Sequence, residues 1–160
     1  MEEDDEFENY IWLETIGKGN MQNVVHKVKN LNDNKTYALK KMIIDTSDKK
    51  QCEKYQNEIS IFKSLDHPYI IKYYNSFIKN NYLCIIMEYA AGGDLQHLIK
   101  NHKEKQKQIP EKQIWVLFLQ LCCAIKYIHY KKILHRDIKT QNVFLDSQGI
   151  VSYTLLLRLN

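Results

Sequence analysis

At 160 residues, 44% hydrophobic and 26% charged, the chain has material for one globular domain with a real core and too little for two of ordinary size. The net charge of +4 hides a division: Glu2, Glu3, Asp4, Asp5, Glu6 and Glu8 gather six acids at the start, leaving the rest at about +10. Residues 1–8 read as a solvated acidic tail, and the dispersed lysines read as solubility rather than as a nucleic-acid surface.

Met1-Glu2-Glu3-Asp4-Asp5 has neither a basic nor an apolar segment, so it does not read as a signal peptide. From residue 10 the chain reads as strands. Tyr10–Ile16 alternates and runs into Gly17-Lys18-Gly19; Val24–Val28 follows, then the turn-rich Asn30–Asn34, then Thr36–Ile44. Ser47–Ser64 changes period. Tyr55, Ile59 and Phe62 recur at helical spacing, with Ser47 the expected N-cap. His67-Pro68 breaks that pattern, and Ile70–Ile78 and Tyr82–Tyr89 read as two more strands around Lys79-Asn80-Asn81.

After Ala90-Ala91-Gly92-Gly93 the pattern turns helical. Asp94–Asn101 reads as a short helix and Lys103–Gln108 as a polar connector. Pro110 suits a helix start, and Ile114, Leu117, Phe118, Leu121, Ile125 and Ile128 form one apolar stripe. Gln120, Lys126, His129, Lys131 and Lys132 interrupt this stretch, which argues against a bilayer span and for no membrane partner. Cys52, Cys84, Cys122 and Cys123 lack paired metal spacing and are expected as reduced, core-type thiols of a cytoplasmic protein.

The strongest chemical signal is His135-Arg136-Asp137-Ile138-Lys139-Thr140-Gln141-Asn142. Phosphoryl transfer needs a carboxylate to orient the attacking hydroxyl, a cation near the moving oxygens and an oxygen ligand for Mg²⁺. Asp137, Lys139 and Asn142 offer those three groups in one loop.

With this loop in view, the chain resembles the NIMA-related Ser/Thr protein kinases over nearly its whole length to about Val151. Tyr37-Ala38-Leu39-Lys40 resembles the third-strand lysine motif, which implies Lys40 on the α- and β-phosphates of ATP. Asn57-Glu58-Ile59 resembles the family's helix C, which implies Glu58 as the partner that steadies Lys40. Ile85-Ile86-Met87-Glu88-Tyr89-Ala90-Ala91-Gly92-Gly93-Asp94-Leu95 resembles the hinge. By this resemblance Met87 is the gatekeeper, the backbone of Glu88 and Ala90 meets adenine, and Asp94 lies near the ribose. Ile16, Val24, Ala38 and Leu145 would sandwich the adenine ring, with Gly17 and Gly19 in the phosphate loop. Asp137 would be the base, Lys139 the phosphate cation of a Ser/Thr enzyme, and Asn142 a Mg²⁺ ligand. His135 would be structural, and Arg136 would meet a phosphorylated activation loop.

The resemblance implies an α+β fold of two lobes: a five-stranded antiparallel N-lobe sheet with helix C in 9–90, and an incomplete helical C-lobe in 91–160. It implies ATP, Mg²⁺ and a protein Ser/Thr substrate. Two departures stand out. Gln22 occupies the place of the third loop glycine, which restricts the backbone and adds bulk. Counted without gaps, the Asp-Phe-Gly positions hold Leu155-Leu156-Leu157, and leucine offers a metal no oxygen. The tail Ser152–Asn160 departs from the family, and the activation segment and substrate-docking helices are expected to be missing. The apolar stripe would then be partly bare, giving poor solubility or retention by a chaperone. The expectation is an impaired kinase, or alternatively a non-catalytic lobe that holds nucleotide or a partner.

Overall fold

The computed structural model describes residues 9–19 and 23–153. The acidic tail, Gln22 and Leu155–Leu157 therefore lie outside the described residues. Two compact units are present, one formed by residues up to Ser64 with Tyr73–Tyr89, the other by Leu65–Lys72 with residues from Ala90 onward.

The first unit holds β1 (Tyr10–Lys18), β2 (Val24–Asn30), β3 (Thr36–Ile43), α1 (Lys49–Lys63), β4 (Tyr73–Lys79) and β5 (Tyr82–Glu88). The strands form one antiparallel sheet in the order β1-β2-β3-β5-β4. Its hairpins follow from side chains that tolerate a left-handed backbone. Asn80 and Asn81 sit at φ 50° and 60°, the double positive φ that a two-residue connection needs. Asn30 Oδ1 accepts from the Asn32 amide at 2.7 Å and so nucleates the earlier turn.

Directly opposed residues in an antiparallel pair share a face. One face carries Val28, Tyr37, Leu39, Cys84 and Ile86, fully or nearly fully buried, with Tyr10, Phe77 and Tyr82 packed against them. Each such aliphatic side chain contributes about 2 kcal/mol by leaving water. The other face carries Ala38, Lys40 and Met42 opposite Met87, Ile85 and Leu83.

Helix α1 starts one residue later than its sequence suggests. Ser47 is not the cap, because its hydroxyl donates to Asp45 Oδ1 at 2.6 Å. Asp48 caps instead, accepting from the Gln51 amide at 3.1 Å. Phe62 anchors the helix edge-on against Tyr73, with centroids 5.7 Å apart.

The second unit contains β6 (Gly93–Asp94), α2 (Leu95–Glu104), α3 (Glu111–Tyr130), a 3-10 turn at Thr140–Asn142, β7 (Val143–Leu145) and β8 (Val151–Tyr153). Strands β6-β7-β8 form a small antiparallel sheet. Ser152 and Tyr153, the first residues of the expected tail, are buried in β8. Tyr153 also ties in Leu65–Lys72, donating to Tyr69 O at 2.8 Å and accepting from the Ile71 amide at 2.9 Å.

Helix α2 outlasts the expected Asn101, so the first residues of the polar connector are helical. On α3 the buried residues are Leu117, Ala124 and Ile128, one narrow line at helical spacing. Ile114 and Phe118 of the predicted stripe are 51% and 54% exposed, and Trp115 and Leu119 are exposed beside them. Among the cysteines only Cys84 is buried; Cys122 and Cys123 are exposed, so core-type does not describe that pair. No helix among the described residues is long and apolar enough to cross a membrane.

Candidate active site

In the first unit Lys40 lies on β3 between buried neighbours and is 8% exposed. Burial pulls its pKa from 10.5 down to about 8, with the charge of Glu58 acting in the opposite direction. Glu58 rises from α1. Burial raises its pKa, while Lys54 and Lys40 oppose that rise. Its Oε2 is buried and has no hydrogen-bond partner among the described residues. Such an acceptor costs stability unless a donor arrives.

Met87 stands directly opposite Ala38 on the Lys40 face, and both are buried. Glu88 ends β5 opposite Tyr37. Gly17 pairs with Val25, and the Gly19 amide donates to Asn23 O at 2.8 Å. Ile16 falls at the irregularity between Thr15 and Gly17 and is exposed.

Val24 does not take the place expected for it. It opposes Lys41, whereas Val25 opposes Lys40. Val25 therefore shares the face of Ala38 and Lys40, and Val24 projects from the other side. The sequence signal was ambiguous because two adjacent valines satisfy either phase of a period-two pattern. Counting back from Ala38 through the hairpin, rather than forward from the glycines, would have found Val25.

In the second unit the loop from His135 to Asn142 is held by its own polar groups. Lys139 Nζ lies 2.9 Å from Asp137 Oδ2. Asn142 Nδ2 donates to Asp137 O at 2.7 Å and to Asp137 Oδ2 at 3.0 Å. The Asp137 amide donates to His135 Nδ1 at 3.1 Å, and the His135 ring stacks on Tyr153 at 4.7 Å. Arg136 takes the strained φ of 61° that turns the chain between these contacts. Asn142 is buried while the Asp137 side chain is 17% exposed, so the clamp is internal and the carboxylate stays reachable.

Asp94 and Leu145 converge through β6 and β7. Gly93 opposes Leu145, Asp94 opposes Phe144, and the Gly92 amide donates to Leu145 O at 2.8 Å. A Cβ on Gly92 would collide with the carbonyl oxygen of Asp146, so only glycine fits this approach. Asp94 spends one carboxylate oxygen capping α2, accepting from the His97 amide at 2.7 Å. The Ala90 carbonyl accepts from the Gly93 amide at 3.4 Å.

A family profile for the protein kinase domain matches residues 10–156. The chain belongs to the protein kinase family. It is 38% identical over 144 residues to the serine/threonine-protein kinase Nek1 of Mus musculus, covering 90% of this chain. It is 41% identical over 138 residues to the probable serine/threonine-protein kinase nek3 of Dictyostelium discoideum, covering 86%. Against Nek3 of Mus musculus the figures are 37% over 144 residues, covering 90%. These matches bear out the resemblance to the NIMA-related kinases. The kinase chain spans 12% of the length of the first two relatives and 27% of the third.

The loop residues Asp137 and Asn142 offer oxygens of the kind that a Mg²⁺ nucleotide takes. Asn142 binds Asp137 through Nδ2, which leaves its Oδ1 for a cation, and Asp137 adds a carboxylate beside it. Mg²⁺ commonly takes one or two such groups and fills its remaining positions with phosphate oxygens and water. The pair fits a metal held mainly by its nucleotide. No group of three or more His, Cys, Asp or Glu suited to a metal occurs among the described residues.

Proposed function

We propose that this chain carries the nucleotide-binding and catalytic-loop chemistry of an ATP-dependent Ser/Thr protein kinase, and that phosphoryl transfer by it is strongly impaired. The observation that carries the reading is the Asp137 clamp. A carboxylate held in place by Asn142 and Lys139 is suited to orient a serine or threonine hydroxyl and take its proton as the phosphoryl group moves. Lys139 would remain as the cation beside the transferred group. Lys40, steadied by Glu58, would meet the α- and β-phosphates, with Ala38, Val25 and Met87 of the same unit supplying apolar walls for adenine and the Glu88 backbone a hydrogen bond. Bound Mg²⁺ would neutralise developing phosphate charge, with Asn142 Oδ1 as a ligand.

The impairment rests on Leu155, which offers no oxygen where the family's principal metal carboxylate stands. Removal of electrostatic stabilisation of this kind costs orders of magnitude in rate. A cytoplasmic setting, with reduced thiols, belongs to the same proposal. The deciding experiment is Mg²⁺-dependent phosphorylation of a generic basic protein by the wild-type chain and by Asp137→Asn. Weak transfer that disappears in Asp137→Asn supports the kinase. ATP-induced thermal stabilisation without turnover supports the second reading, a non-catalytic nucleotide-binding lobe, which Leu155 itself favours. No stabilisation and no turnover would refute both.

A further inference from the structure

The sheet face opposite Lys40 carries an open recess outside the residues assigned to phosphoryl transfer. It measures about 490 Å³ and is lined by Val24, His26, Lys41, Ile43 and Tyr82. That volume lies within the range of small-ligand pockets and accommodates a large side chain with room to spare. Its walls combine three apolar surfaces with two nitrogen-bearing groups. Lys41 Nζ stands 3.9 Å from the centroid of the Tyr82 ring, a cation–π contact that fixes the ammonium at the rim. The His26 ring packs edge-on against Trp12 at 4.6 Å and its Nδ1 lies 3.2 Å from Thr15 Oγ1, so this wall is held from two sides.

The charge around the cavity is one-sided. The strand register sets Lys18 opposite Val24, on the same face as Lys41. No Asp or Glu occupies a paired position around the cavity among the described residues. Burial and, after it, the neighbouring Lys41 charge lower the His26 pKa. A face with apolar walls and a basic rim complements a ligand that is apolar at its centre and anionic at its edge. The register that turns Val24 away from Lys40 is what supplies one of these walls.

We propose that this cavity is a docking site for an acidic peptide segment carrying one large apolar side chain. The side chain would lie between Val24, Ile43 and Tyr82, and carboxylates on either side would meet Lys41 and Lys18. A single-stranded nucleic acid is disfavoured because Val24 and Ile43 give no flat ring on which a base could stack. The proposal does not depend on phosphoryl transfer.

The test uses the full chain and a fluorescein-labelled hexapeptide, Asp-Glu-Asp-Phe-Glu-Asp, read by fluorescence anisotropy. Saturable binding that weakens with added salt is expected, with a loss of about tenfold or more in Lys41→Glu and a similar loss when the peptide Phe is replaced by Ser. Ile43→Ser should weaken binding without altering the salt dependence. Both protein positions are at least partly exposed, and far-UV circular dichroism with a melting curve confirms that each variant is folded. Three results overturn the proposal: no saturation, binding indifferent to Lys41→Glu in a folded variant, or tighter binding of a labelled dT oligonucleotide than of the peptide.

Discussion

Replacing Lys40 by methionine probes the buried lysine directly. Its pKa is 10.5 in water and about 8 in the fold, with burial the main cause. Each tenfold change in an equilibrium is about 1.4 kcal/mol, so holding the ammonium here costs about 3 kcal/mol at pH 7. The sign follows from proton counting. Between pH 8 and 10.5 the unfolded lysine is protonated and the folded one is not, so stability rises with pH through that window. Below pH 8 both states carry the proton and the full penalty applies.

Lys40→Met keeps the shape of the stem and removes the charge. Glu58 then loses a stabilising cation, which trims the gain to about 1–3 kcal/mol at pH 7. By pH 10 the difference from wild type should have largely vanished. Urea unfolding at both pH values, followed by Trp12 fluorescence in a Trp115→Phe background, measures it; Trp12 lies on the same sheet as Lys40. A destabilised variant at pH 7, or an equal difference at both pH values, would refute the reasoning.

The same structure sets four further expectations. Tyr153 Oη is buried without a hydrogen-bond partner among the described residues, so Tyr153→Phe should stabilise by about 1 kcal/mol; a lower melting temperature would show that the hydroxyl has a partner. Gly92→Ala forces a methyl group into the Asp146 carbonyl and should cost about 2 kcal/mol or more in urea unfolding. Asp48→Ala removes the α1 cap and should cost about 1 kcal/mol, while Ser47→Ala, measured alongside by thermal melting, should cost clearly less. Paired replacement of Ile114 and Phe118 by lysine should raise the solubility limit without lowering the melting temperature, because both side chains already face water.

Much of the fold is legible in the sequence because its local signals agree. The β-formers of Thr36–Ile44, asparagines at the turns and the helical spacing of Tyr55, Ile59 and Phe62 each name one structure. The loop from His135 to Asn142 is equally plain, since its chemistry lies in contiguous residues. What escaped depends on competition or on distance. Ser47 and Asp48 both satisfy the rules for a cap, and the choice turns on Asp45, a bond no pattern records. Val24 and Val25 are equivalent by composition and differ only in register with β3. Ala124 was invisible in the stripe because a methyl group carries little periodic signal, yet it is fully buried. Tyr153 falls within the expected tail Ser152–Asn160, and only the folded contacts with His135, Tyr69 and Ile71 reveal it as an anchor.

That anchor has a consequence for biosynthesis. Residues 69–71 and 153 are more than eighty positions apart in the chain, so their pairing closes a long loop and must wait until β8 has been made. A ribosome-bound chain halted after Leu145 would expose His135 with nothing stacked upon it, leaving the acid and its amide partner to wander until β8 emerges. The arrangement of the His135–Asn142 loop thus waits on a tyrosine eleven positions beyond its last residue.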